Sequence, residues 1–441
     1  MSNHRAILAI ALPMVLANLS VPMLGFVDTA ILGHLESATN LAAVHLGATT
    51  LSLAFWSFGF LRMSTTGITS RQLGASNITE VRHALLRSVL MAGVIALPVI
   101  AAGLLLFPLV IPLLAHGSAV AEPAQQYVQI RLWSAPATLG TYAIIGWLIG
   151  LGSGRSAMGV MVATNLLNAA LDYLFIVEWQ WGYRGAALAS LCAEYGGLIP
   201  GLLICRYQLK KMAAPKTGHF WKQSAFAALL RANRDIFVRT LCLLLVFLSM
   251  SSLAVAIDAE TAAATAILLN LLAFSAYFMD GFAFAAESLG GRAWGRRNRN
   301  ELLQVIWKSS YLALGVAACF SLVFAALQQP LLQLYTDLPQ VLARAGEIFA
   351  WLTWLPLLAI WCYQLDGIFI GIGRTATLRN AMLLSAAGYA LLVWAAADNL
   401  SPASLWTAFW VFHAMRTASL ALPLALILRK DTFAGQSQPA D

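Results

Sequence analysis

Charge is what this chain has least of. Only 10% of its 441 residues are Asp, Glu, Lys or Arg, against roughly 25% in soluble domains, and 60% are hydrophobic. A water-facing surface cannot be assembled from that pool, so a soluble globular protein is excluded. Cysteine is scarce and unpaired. Cys192, Cys205, Cys242, Cys319 and Cys362 stand singly inside apolar segments, without metal-site spacing or a secreted disulfide pattern, and read as small buried apolar residues. No GxxxxGK[ST] phosphate loop occurs, and zinc and haem spacings and nucleophile motifs are missing. Neither an enzyme nor a bound cofactor is therefore expected, and an ion gradient is the simplest energy source. No basic leader with a small-residue cleavage site precedes the first apolar run. Ser2, Asn3, His4 and Arg5 lead directly into it, so the first span is expected to be retained.

What is present is a series of apolar windows, at about 6–30, 38–61, 84–115, 123–151, 155–178, 184–206, 234–257, 262–286, 303–326, 340–371, 376–397 and 403–428. They predict an all-α polytopic membrane protein of twelve spans. The net charge of +8 lies in short loops, so it reads as a topology signal and not as affinity for nucleic acid. With a cytoplasmic N-terminus, one set of loops carries Arg71, Arg82, Arg155, Lys210, Lys211, Lys216, Arg231, Arg292, Arg296, Arg297 and Arg374, while the other set is rich in acids. Both termini are therefore expected in the cytoplasm of a bacterial-type inner membrane. Residues 207–233, polar and basic with Pro215 and Gly218, read as a linker between an N-terminal lobe (1–206) and a C-terminal lobe (234–430), with a tail at 431–441. A shift of 221 residues lays Arg71, Gly74, Asn77, Trp133, Gly146 and Gly150 on Arg292, Gly295, Asn298, Trp354, Gly367 and Gly371. The two six-helix units are thus parallel repeats, with the substrate path expected at their interface.

An ionisable side chain deep in a span costs roughly 2.5–3.5 kcal/mol on insertion scales, so each needs a reason. In the first repeat Asp28 lies near the outer end of span 1; Asn165, Asn168 and Asp172 share a face of span 5; Ser190 and Glu194 share a face of span 6. Crowded carboxylates in low dielectric take up and release protons near physiological pH, as a proton-driven carrier requires. Blander readings stand beside this one: Asp28 as an interfacial helix cap, Asn168 with Asp172 as helix-to-helix glue, and Glu194 paired with Arg155 or Arg206. The second repeat places Asp280, Glu287 and Asp366 where the first has Gly59, Thr66 and Ile145. Beside Tyr363, Trp361, Tyr277 and Phe278 these acids suit an amphipathic organic cation, although aromatic side chains also anchor spans at the lipid interface. Pro13 and Pro22 in span 1 mark either a hinge or a static kink. Arg416 lies well inside the last span and requires an acidic neighbour or a snorkelling path.

Several of these segments are similar to the multidrug and toxic compound extrusion (MATE) family, in its DinF-like branch. They are ALPM, VDTAILGHL, FLRMSTTGITSRQLGA, GAALAS with AEY, NRDIFVR, MDGFA and LDGIFIG, and they span the chain. The resemblance implies two six-helix lobes in a V and monomeric export of amphipathic or cationic compounds in exchange for protons or sodium ions. By the same resemblance Asp28 matches a proton-linked carboxylate of helix 1, Asn168 and Asp172 its helix 5 partners, Ser190 a helix 6 hydroxyl, and Pro13 the point where helix 1 bends. Two departures matter: position 24 is Leu where some relatives have Tyr, and span 7 lacks an intramembrane Glu, which favours protons over sodium. The rivals are a major facilitator carrier, whose Asp-Arg loop core is missing after span 2, a lipid flippase, whose cavity would be basic, and a channel or membrane enzyme.

Overall fold

The structure, a computed structural model, describes residues 4–33, 38–212 and 220–429, excepting the side chains at 26–30, 32, 33 and 38. The side chain of Asp28, the linker residues Pro215, Lys216 and Gly218, and the 431–441 tail lie outside the described residues. Lipid offers the backbone no hydrogen-bond partner, so each apolar run satisfies its own N–H and C=O groups as a helix. The first half forms α1 (His4–Gly33), α2 (Ala38–Trp56), α3 (Phe60–Gly74), α4 (Ile78–Leu114), α5 (Ala121–Leu132), α6 (Ala135–Gly150), α7 (Gly154–Asp172) and α8 (Gly182–Lys211). The second forms α9 (Gln223–Ile257), α10 (Ala259–Gly295), α11 (Arg299–Ala326), α12 (Gln328–Gln333), α13 (Pro339–Ile372), α14 (Thr375–Ala395) and α15 (Pro402–Arg429). Among the described residues eleven spans are long and apolar enough to cross a membrane, with α2 and α3 counted as one. The pair α5 and α6, bent by 53°, makes a twelfth.

The chain forms two compact units, Leu16–Leu229 and Met1–Val15 with Leu230–Asp441. The division differs from a split by spans: α1 gives its first turns to the second unit and the remainder to the first. Within the second unit those turns lie close on α10, where a Cβ on Gly281 would sit 2.5 Å from Val15 Cγ2 and 2.8 Å from the Ala11 carbonyl oxygen. The glycine of MDGFA is thereby explained. α8 runs to Lys211 and α9 begins at Gln223, so both ends of the expected linker are helical. Helix boundaries overrun the apolar windows because the charged turns at helix ends do not register as apolar.

The 221-residue repeat carries into local geometry. Asn77 caps α4 by accepting from Glu80 N at 3.1 Å, and Asn298 caps α11 by accepting from Glu301 N at 2.9 Å. Each cap follows a residue in the left-handed region, Ser76 at φ 57° and Arg297 at φ 56°. Gly152 (φ 65°) and Gly373 (φ 79°) end α6 and α13, their N–H groups bonded to Ile149 and Ile370 carbonyls. A Cβ on Gly146 would run into the Arg62 carbonyl, and one on Gly367 into the Ala283 carbonyl; the four positions are again one repeat apart. These glycines are kept by close backbone crossings, α3 on α6 and α10 on α13.

Candidate functional site

In the first unit, α7 presents its polar face at Asn165, Asn168 and Asp172. Asn168 Nδ2 donates to Asp172 Oδ2 at 2.6 Å, and both residues are buried, Asp172 at 1% exposure. One turn earlier Asn165 Nδ2 donates to Ser20 Oγ at 2.6 Å, tying α7 to α1. Ser190 is buried on α8, which packs against α7 with Gly197 beside Thr164. Directly after Asp172 the chain makes a π-helical turn over Tyr173–Glu178, a local widening of the helix often found near functional sites.

Glu194, half-buried on α8, interacts with neither Arg155 nor Arg206. The cation that acts on it electrostatically is Arg131, with Thr138 close by. Helix α5 packs on α8, and Arg131 stands near its end, beside the break between α5 and α6. The carbonyls the break frees find partners: Trp133 O accepts from the Tyr195 hydroxyl at 2.9 Å, and Arg131 O from the Ser134 hydroxyl at 2.8 Å.

The second unit is built on a different principle. Asp366 on α13 accepts hydrogen bonds from Arg239 of α9 and Arg416 of α15 through the same oxygen, with all three residues buried. The acidic neighbour that Arg416 requires is thus Asp366. With two guanidinium groups against one carboxylate, the cluster carries a net charge of +1. The expectation that Asp366 presents its negative charge to an organic cation is therefore corrected, since its charge is already offset. Nearby, Gln364 is 1% exposed with neither amide atom hydrogen-bonded, and Cys362 Sγ donates to the His413 carbonyl at 3.3 Å. Asp280, half-buried on α10, acts electrostatically on Tyr277 and Tyr363. Glu287 is 1% exposed, with its backbone under Gly371, and Trp361 is half-buried. No group of three or more His, Cys, Asp or Glu side chains that could hold a metal ion occurs among the described residues.

Two six-helix units with unequal polar interiors fit a known profile: that of the MatE family matches residues 13–174 and 236–394. The chain belongs to the MATE family. It is 38% identical over 434 residues to the DNA damage-inducible protein F of Escherichia coli, covering 95% of this chain and 92% of that one. A probable multidrug resistance protein, NorM, of Thermotoga maritima is 26% identical over 357 residues, covering 77% of this chain and 74% of its own. In fold, this MATE-family transporter superposes on a MOP-superfamily transporter from Pyrococcus furiosus with a TM-score of 0.84 at 17% identity, over 97% of both chains. A MATE structure solved with MaL6 gives 0.85 at 17% identity, over 96% of both.

Two ionic partners in this MATE-family chain escaped the sequence reading. Arg239 ends the NRDIFVR segment, inside the predicted span at 234–257, so the cost of an ionisable residue in lipid marks it for a partner. Arg131 lies just before the α5–α6 bend, and no sequence signal joins it to Glu194.

Proposed function

We propose that this transporter exports amphipathic organic cations from the cell across the inner membrane in exchange for protons. In this reading Asp28 and Asp172 carry the proton and α1 is the element that moves. The observation that carries it is the buried α7 carboxylate. Asp172 is hydrogen-bonded by a neutral amide in a region where a charged carboxylate is costly, so gain or loss of a proton changes its energy strongly. The Asn165–Ser20 hydrogen bond lies on the same face of α7 and gives that change a route to α1. Support for a hinge comes from Pro13 and Pro22, which flank the Val15/Leu16 boundary between the two units. Protons are favoured over sodium because Asp366 already faces two guanidinium groups, leaving a metal cation a positive environment. Asp280, Glu287, Tyr363 and Trp361 are the proposed contacts for substrate in the second unit, and the name of the Thermotoga relative agrees with a drug-like cargo.

The test is efflux of a cationic dye from proteoliposomes under separately imposed proton and sodium gradients. Proton-driven efflux that is abolished in both Asp172→Asn and Asp28→Asn is expected. Unchanged efflux in either variant removes that residue from the mechanism, and efflux driven only by sodium overturns the coupling.

A further inference from the structure

A cavity of about 320 Å³ lies on the flank of the first unit, between the start of α4 and the end of α8. The two helices run in opposite directions and both pack on α6, so the opening turn of one meets the closing turn of the other at a single face of the membrane. Arg82 stands four residues into α4, and Arg206 and Lys210 close α8. None of the three pairs with a carboxylate among the described residues, and Arg206 and Lys210 are exposed. The nearest acid in sequence, Glu80, is taken by Arg87 at 2.7 Å. Below this basic mouth the lining becomes apolar. Leu85 and Cys205 are buried in the floor, and Leu86 and Leu202 are exposed on the walls. From Arg82 to Val89 is seven residues of helix, about 10 Å of depth from charge to hydrocarbon.

We infer that this cavity is a binding site for an anionic phospholipid. Three converging cations with no acidic partner suit a phosphodiester headgroup, and the leucine walls continue as a track for an acyl chain. A soluble anion would leave that apolar track empty, and a zwitterionic lipid would bring its own cation to three others. The face concerned is the one where the chain concentrates its basic loops, so the lipid belongs to the cytoplasmic leaflet if those loops are cytoplasmic. The site is separate from the Asp172 and Asp366 clusters, and its test does not depend on transport.

The test is native mass spectrometry of the full-length protein, delipidated and titrated with dioleoylphosphatidylglycerol or dioleoylphosphatidylcholine. One phosphatidylglycerol is expected to be retained in preference to phosphatidylcholine. The triple variant Arg82→Gln/Arg206→Gln/Lys210→Gln should hold it roughly a hundredfold more weakly, because each basic residue near a lipid surface contributes a factor of about five. The double variant Arg206→Gln/Lys210→Gln touches only exposed side chains and should show roughly a 25-fold loss even if the triple variant misfolds. The charge-matched control Lys222→Gln/Arg297→Gln/Arg374→Gln, exposed basic residues outside the cavity, should retain the lipid. Equal loss in the control and the cavity variants overturns the site, as does absence of preference between the two lipids. Displacement by excess inorganic phosphate would make it a phosphate site and overturn the lipid assignment.

Discussion

In the second repeat α10 runs unbroken from Ala259 to Gly295, and α13 from Pro339 to Ile372. One repeat earlier the same stretches are divided: α2 and α3 by a 3-10 turn at Ser57–Gly59, and α5 and α6 by a bend of 53°. The polar interiors differ in the same sense. The second repeat holds an ion cluster in which Arg239 and Arg416 grip Asp366 across three helices. The first repeat holds a neutral-to-acid pair, Asn168 with Asp172, a neutral pair, Asn165 with Ser20, and a Glu194 under the charge of Arg131 near the end of α5. Duplication thus preserved turns and crossings, while the helix breaks and the ionic inventory diverged. An ion cluster fastened across three helices suits a frame, and the proposed coupling groups lie in the other unit.

The largest effect should come from breaking the frame. Arg416→Ala leaves Asp366 paired with Arg239 alone, but it removes a buried hydrogen bond and opens a cavity where a large side chain stood, a loss of about 2–5 kcal/mol. A marked fall in melting temperature in detergent is expected. Asp172→Asn should leave melting nearly unchanged while abolishing proton-driven efflux, since an amide replaces a carboxylate of the same shape. If instead Asp172→Asn unfolds the protein and Arg416→Ala melts like wild type, the assignment of frame and coupling unit is reversed.

A second measurement bears on what the repeats share. Gly146→Ala and Gly367→Ala each push a methyl group into the backbone of the facing helix, at positions one repeat apart. Overpacking of this kind costs about 1–3 kcal/mol, and the two variants should lose stability alike. A large loss at one position only would show that the crossings, like the charges, have diverged.

Much of the frame is legible in the sequence. Hydropathy marks the spans, and the 221-residue shift finds glycines and asparagines whose crossings and caps the structure then repeats, because those features depend on residues local to each turn. Helix ends are less legible. Hydropathy begins span 7 at 234, yet α9 starts at Gln223, since charged turns of a helix are invisible to an apolar window. Least legible are the ion partners. Asp366 and Arg416 are each conspicuous in a span, but their union with Arg239, 127 residues from Asp366, follows from packing alone. Glu194 lies under the charge of Arg131, which stands beside the α5–α6 bend, and Pro136 at the start of α6 is a local sign of that bend.

The smallest expected effect separates the repeats by pH. Asp258 caps α10, accepting from Thr261 N at 2.6 Å, and one repeat earlier the sequence has Ser37, which does not titrate. Hydrogen bonding from Thr261 holds the Asp258 carboxyl below its ordinary value, with Arg344 adding to the effect. A carboxyl whose pKa is depressed by folding stabilises the folded state above its unfolded pKa, about 3.9, and loses that contribution as pH falls through the folded value. Asp258→Asn keeps a good capping side chain but removes the charge. Wild type should therefore melt slightly higher than Asp258→Asn at pH 7, and the gap should close as pH is lowered below about 4. A gap that persists at low pH would mean that the carboxylate acts through shape alone, and that this end of the second repeat is no more charge-dependent than a serine cap.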